Sequence, residues 1–128
     1  MSHPYQYVVL QYVPRVDRGE CLNVGVVVHS QSAGVLRCAW HIDRDRLRVL
    51  DPEADLDGLH AALAAVDTMC EHPPAEADTA LATQGKRFGW LSAPRSTVLQ
   101  PGPVHGGAAD DPSAEADRLV DHLVRVQH

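Results

Sequence analysis

The stretch "YQYVVLQYVPRVDRGECLNVGVVVHSQSAGVLRCAW" covers residues 5–40. It holds three runs dense in Val, Leu and Tyr, at 5–13, 22–29 and 35–40. Such β-branched and aromatic runs, set between polar and turn-forming residues, read as strands. Pro14 ends the first run, and "SQSAG" at 30–34 is a hairpin-type turn before the third. Parallel neighbours need a crossover of about a dozen or more residues. Neither link here is that long, so the three runs are expected to form an antiparallel meander.

Strict alternation along the second run places Leu22, Val24, Val26 and Val28 on one face. Asn23, Gly25, Val27 and His29 then share the other. The first set reads as core. The second sets an amide beside a glycine, where a ligand or another backbone can come close.

Beyond Trp40 the pattern changes. Residues 41–52 alternate in charge and suit a short exposed helix or turn. Residues 55–72 carry the clearest helical signal: Leu56, Leu59, Leu63, Val66 and Cys70 recur at steps of three or four, with alanines between. Pro73 and Pro74 stop it. Residues 73–85 are polar, Ala-rich and aperiodic, and are expected to be a surface loop or a short weak helix. A fourth strand is expected at 87–91 ("RFGWL") and a fifth at 96–100, with "HGGAADDP" at 105–112 as loop. Asp111 and Pro112 make a good helix start, as N-cap and first-turn residue. Leu119, Val120, Leu123 and Val124 give the final helix, 114–126, an apolar face. The expected class is α+β: an antiparallel sheet of about five strands with two main helices packed on one face.

With 128 residues, the chain is expected to fold as one domain, 1–128. Its formal net charge of −6 argues against bulk attraction to nucleic acid or to anionic membranes. No basic-aromatic interleaving supports nucleic-acid binding either. No apolar stretch approaches the ~20 residues of a membrane span, and no signal peptide is visible. The cysteines are three, Cys21, Cys38 and Cys70. An odd count without CxxC spacing fits neither a disulfide framework nor a zinc knuckle. Free thiols in a reducing cytoplasm are expected. No cofactor motif is present: there is no GxSxG, Walker loop, GxGxxG or HExxH. His60 and His122 lack the spacing of a metal pair, so neither cofactor nor metal is expected.

Residues 79–109 hold Lys86, Arg87 and Arg95 but no Asp or Glu, although the chain is acidic overall. Within that segment Arg95, Ser96 and Thr97 adjoin. Arg95 offers a planar fork of donors suited to carboxylate or phosphate, and the two hydroxyls add to it. A second group, Arg18, Glu20 and Asn23, stands at the entrance to the second strand. His105, followed by two glycines, is open enough to serve as acid, base or ligand. Three readings follow. Arg18, Asn23, Arg95, Ser96 and Thr97 could bind an anionic small molecule or peptide group in an interaction domain. In a small enzyme, Arg95 would anchor an anionic substrate, with Glu20 or His105 as general base. Alternatively, the same charges form one structural ion-pair network. Arg95 is central to all three.

"YQYVVLQYVPRVDRGECLNVGVVV", "FGWLSAPRSTVLQPGPVH" and the "DP" before the last helix resemble a bacterial domain-of-unknown-function family, number thirty thirty-seven. The resemblance covers most of the chain. Tyr7, Pro14, Arg18, Glu20, Asn23, Gly25, Trp90, Arg95, Ser96, Thr97 and His105 match the family pattern. Cys21 departs from it, standing where a bulky aromatic is commoner. The resemblance implies no established activity. It does imply a context, because members are often encoded beside a HipA-like kinase protein. It therefore points to an accessory or regulatory partner in a two-protein module.

Overall fold

A computed structural model describes residues 1–73, 81–94 and 97–125. The three expected strands are present as β1 (His3–Tyr12), β2 (Leu22–Ser30) and β3 (Val35–Trp40). β1 pairs antiparallel with β2, and β2 with β3. Gly34 closes the second hairpin at φ 66°. This left-handed conformation is one that glycine adopts without a Cβ clash.

The faces of β2 differ from strict alternation. Leu10 lies opposite Gly25 and Gln11 opposite Asn23, so Val24 is an extra residue in the ladder. This β-bulge shifts the parity of everything before it. Leu22, Val24 and Val27 enter one buried cluster with Val8, Leu10 and Tyr12. Val26 and Val28 enter another, with Tyr5. The room beside Gly25 is filled by a neighbouring backbone. A Cβ there would lie 3.1 Å from the Trp40 Cβ and 3.2 Å from the Ala39 carbonyl oxygen.

The later half departs further. Residues 87–91 belong to a helix, Gln84–Leu91, and form no strand. The Thr83 hydroxyl caps that helix by accepting from the Lys86 amide at 3.2 Å, and Phe88 and Leu91 are buried on its inner face. Aromatic residues in "RFGWL" suit a strand locally, but the cap and the inward face decide for helix. The helix also reaches into the segment expected to be loop or weak helix, of which residues 74–80 lie outside the described residues. The fifth expected strand is Leu99–Pro101, designated β4. The expected loop at 105–112 contains a strand, β5 (His105–Ala109). β5 pairs with the first half of β1 and β4 with the second half, on the edge opposite β2. Pairing with a central strand overrides the poor strand propensity of Gly106 and Gly107.

The result is a five-stranded antiparallel sheet in an α+β fold, ordered β3-β2-β1-β4 with β5 also beside β1. The helices are α1 (Arg44–Leu50), α2 (Leu56–Glu71), α3 (Gln84–Leu91) and α4 (Pro112–Leu123). Asp43, Asp55 and Asp111 cap α1, α2 and α4. The two main helices, α2 and α4, do not share a face as expected. Leu47 of α1, Leu59 and Leu63 of α2 and Phe88 of α3 pack on the Val8–Leu10–Val27 side. Ala116, Leu119 and Val120 of α4 pack on the Tyr5–Val26–Val28 side. The bulge explains this difference: it leaves β2 apolar on both faces, so each face needs a cover. No helix among the described residues is long and apolar enough to cross a membrane.

Candidate functional site

Two described parts of the acid-free segment, α3 and residues 97–101, stand beside α2. One side of α2, with Leu59, Leu63 and Cys70, is buried in the sheet core. A neighbouring side presents Ala62, Ala65, Val66 and Met69 to a cleft of about 300 Å³. Trp90 and Leu91 of α3 form a second wall, and residues 97–99 with Pro101 form the third. Leu10 of β1 closes the bottom. The cleft exists because alanines keep one stripe of α2 low while α3 and β4 stand up beside it. Trp90 and Val98 are each 47% exposed, so large apolar side chains border the opening. A concave, mostly apolar site with few polar groups is the usual form of a binding pocket.

The sequence-predicted polar residues are dispersed. The Arg18 guanidinium meets Glu20 at 2.6 Å, in an exposed ion pair. Asn23 accepts from Gln11 Nε2 at 3.3 Å and donates to the Leu123 carbonyl at 3.1 Å. Its amide thus ties β2 to β1 and to the last turn of α4. The Thr97 hydroxyl donates to the Leu99 carbonyl at 2.8 Å, at the edge of the cleft. His105 is exposed on β5 and stacks on Tyr7, with ring centroids 5.2 Å apart. Arg95 and Ser96 lie outside the described residues.

Glu20 and His105 do not lie together. Glu20 precedes Leu22, which pairs with Tyr12, whereas His105 pairs with Tyr7. The two registers are five β1 positions apart, about 16 Å at the rise of an extended strand. Arg18, Glu20 and Asn23 sit at the Tyr12 end of the sheet. Thr97 is at that same end, since Leu99 also pairs with Tyr12.

Titration behaviour points to stable neutral or paired groups. Burial pushes the Cys70 thiol up to about 12, with the Asp67 carboxylate adding to the effect. Burial raises Cys38 still further. Both thiols are therefore protonated and poor nucleophiles. Arg118 lowers the pKa of Glu115, and a hydrogen bond from Tyr5 helps. Among the described residues, no three His, Cys, Asp or Glu side chains converge as metal ligands would.

A family model described as "Protein of unknown function (DUF3037)" matches residues 7–124. The chain belongs to the DUF3037 family. The match spans nearly the whole fold, from the middle of β1 past the end of α4. No curated protein and no solved structure matches the chain. Membership fixes no chemistry, so the site stands on its geometry.

Sequence reasoning missed the cleft. Its lining comes from three separated segments, and apolar residues on a helix read first as core. The available signal was the excess of small residues around Leu63, at positions 61, 62, 64 and 65. It marks a second face of α2 too shallow to fill its own space.

Proposed function

We propose that this protein is an accessory interaction domain that docks through the α2–α3–β4 cleft onto a HipA-like kinase partner. The single observation carrying this reading is the apolar cleft with Trp90 and Val98 half-exposed at its mouth. Half-exposed tryptophans beside a pocket are characteristic anchors of protein interfaces. The acid-free segment supplies the mouth. In this reading its Arg95, with Ser96 and Thr97, recognises an anionic group on the partner or on the partner's substrate. The three free thiols fit a reducing compartment, which we take to be the cytoplasm. No specific observation favours the enzyme reading with Glu20 or His105 as general base.

The test is co-purification with a HipA-like kinase encoded beside the gene. A complex is expected at micromolar concentration. Trp90→Ala should weaken it by about thirtyfold or more, as for a central tryptophan anchor. Arg95→Ala should alter kinase activity in the complex. A complex indifferent to Trp90→Ala, or none at micromolar concentration, overturns the reading.

A further inference from the structure

A second concave feature lies at the opposite edge of the sheet. A trough of about 550 Å³ is lined by five consecutive residues, 34–38, together with Asp67, Cys70 and Glu71 of α2 and Ser113 of α4; Gln84 of α3 closes its Gly34 end by donating to the Gly34 carbonyl at 3.1 Å. Consecutive strand residues point to alternate faces. One cavity touches all of them only when it runs along the strand's free edge. β3 pairs only with β2 among the described residues. Because α2 and α4 cover opposite faces of the sheet, each overhangs this edge and forms one wall of a slot.

The backbone of the slot can be assigned. The His41 amide donates to the Val24 carbonyl at 2.9 Å. Antiparallel ladders alternate hydrogen-bonded and non-bonded pairs. Ala39, Arg37 and Val35 therefore bond toward β2, while the amides and carbonyls of Leu36 and Cys38 point into the trough.

The walls differ in charge. Asp67 and Glu71 stand one turn apart on α2, about 6 Å along the helix. Asp67 accepts from the Trp40 indole at 2.8 Å, which fixes its carboxylate in place. On the α4 wall, Arg37 is neutralised by Asp117 through two hydrogen bonds, at 2.8 and 2.9 Å, and also donates to the Ser113 carbonyl at 2.6 Å. One wall is thus anionic and the other is balanced.

We propose that the free edge of β3 accepts an extended peptide segment of a partner protein as an added strand, with two basic residues separated by one. Same-face residues of a strand lie about 6.6–6.8 Å apart, close to the ~6 Å rise between Asp67 and Glu71 along α2. The intervening residue faces Arg37 and Ser113 and is small or polar. Main-chain bonds to Leu36 and Cys38 provide affinity, and the Asp67–Glu71 wall selects charge, as in strand-addition recognition generally. This surface uses a different side of α2 from the apolar cleft, and the inference stands independently of the function proposed above.

The test uses three capped pentapeptides, Thr-Lys-Thr-Lys-Thr, Thr-Glu-Thr-Glu-Thr, and the lysine peptide N-methylated along its backbone. Each is titrated to millimolar concentration into the isotopically labelled full chain. The lysine peptide is expected to shift the amide signals of residues 34–38 and to slow hydrogen exchange at Leu36 and Cys38. The glutamate and N-methyl peptides should do neither. Glu71→Gln, an exposed substitution, should weaken lysine-peptide binding by about two- to fivefold with thermal unfolding unchanged. Shifts elsewhere, no shift at all, or affinity indifferent to Glu71→Gln overturns the proposal.

Discussion

Gly107 and Tyr5 form the tightest fit in the sheet. They are cross-strand partners, and a Cβ on Gly107 would lie 2.6 Å from the Tyr5 hydroxyl and 2.7 Å from its Cζ. The ring lies across the glycine so that its hydroxyl can donate to Glu115 at 3.0 Å. Gly107→Ala is therefore expected to destabilise the fold by about 1–3 kcal/mol, the range for overpacking. Gly106→Ala, whose nearest neighbour is the Tyr5 carbonyl oxygen at 3.8 Å, should cost far less. Urea unfolding of the two variants makes the comparison. His29 supplies a second residue-scale prediction. Its ring stacks on Phe88 at 5.3 Å, and burial holds its pKa below the ordinary histidine value. As pH falls, the unfolded chain takes up this proton first, near pH 6.5. The stabilisation is thus present above about pH 6.5 and lost as pH falls through the lower folded-state value. His29→Gln should flatten the acid-side decline of Tm, measured by thermal melts between about pH 7.5 and 5. Neither contact was legible in the sequence. Alternation places His29 on the same face of β2 as Val27, but its aromatic partner lies in a segment expected to be a strand.

At the scale of elements, local signals sufficed where chain neighbours decide the outcome. The caps and periodicity of α2 and α4 produced helices at the expected places, and the three early strands formed. Local signals failed where a distant element decides. β5 is a strand because β1 offers it an edge, and nothing in "HGGAA" announces that. The bulge at Val24 is also set by pairing, and it reverses the face on which Asn23 lies. Asn23 consequently serves as a clasp between β1, β2 and α4. Asn23→Ala removes two hydrogen bonds and leaves the Leu123 carbonyl without its side-chain donor. The expected loss is about 1–2 kcal/mol, with faster amide exchange confined to the last turn of α4. Uniform loss of protection across the sheet would show that the clasp supports more than the helix end.

At the scale of the molecule, the sequence yielded the α+β class and the strand count but not the layering. Placing α2 and α4 on opposite faces is a consequence of β2 being apolar on both sides, with Leu22, Val24, Val26, Val27 and Val28 all buried. Thr97 and the Arg18–Glu20–Asn23 group lie toward the Tyr12 end of the sheet but beside opposite edges of β1, and His105 lies toward the other end. The α2–α3–β4 cleft was invisible because it is a property of how three segments pack. Leu63 is fully buried on the sheet-facing side of α2, beside the face that lines that cleft. Leu63→Ala should cost about 2–5 kcal/mol and weaken partner binding through the loosened helix, whereas Trp90→Ala should weaken binding alone. Parallel measurements of Tm and of complex formation separate the two.

The central position of β1 has a bearing on how the protein is made. Its second edge is completed only by residues 99–109, which leave the ribosome long after β1 itself. Until then the growing chain carries a ten-residue strand with one side open. Open strand edges recruit other chains, and closing such a distant pair is slow compared with forming helices. Synthesis thus passes through a window in which β1 depends on protection by other factors. A ribosome-bound chain stalled just after Leu91 is expected to bind holdase chaperones, and one stalled after α4 has emerged is expected to release them.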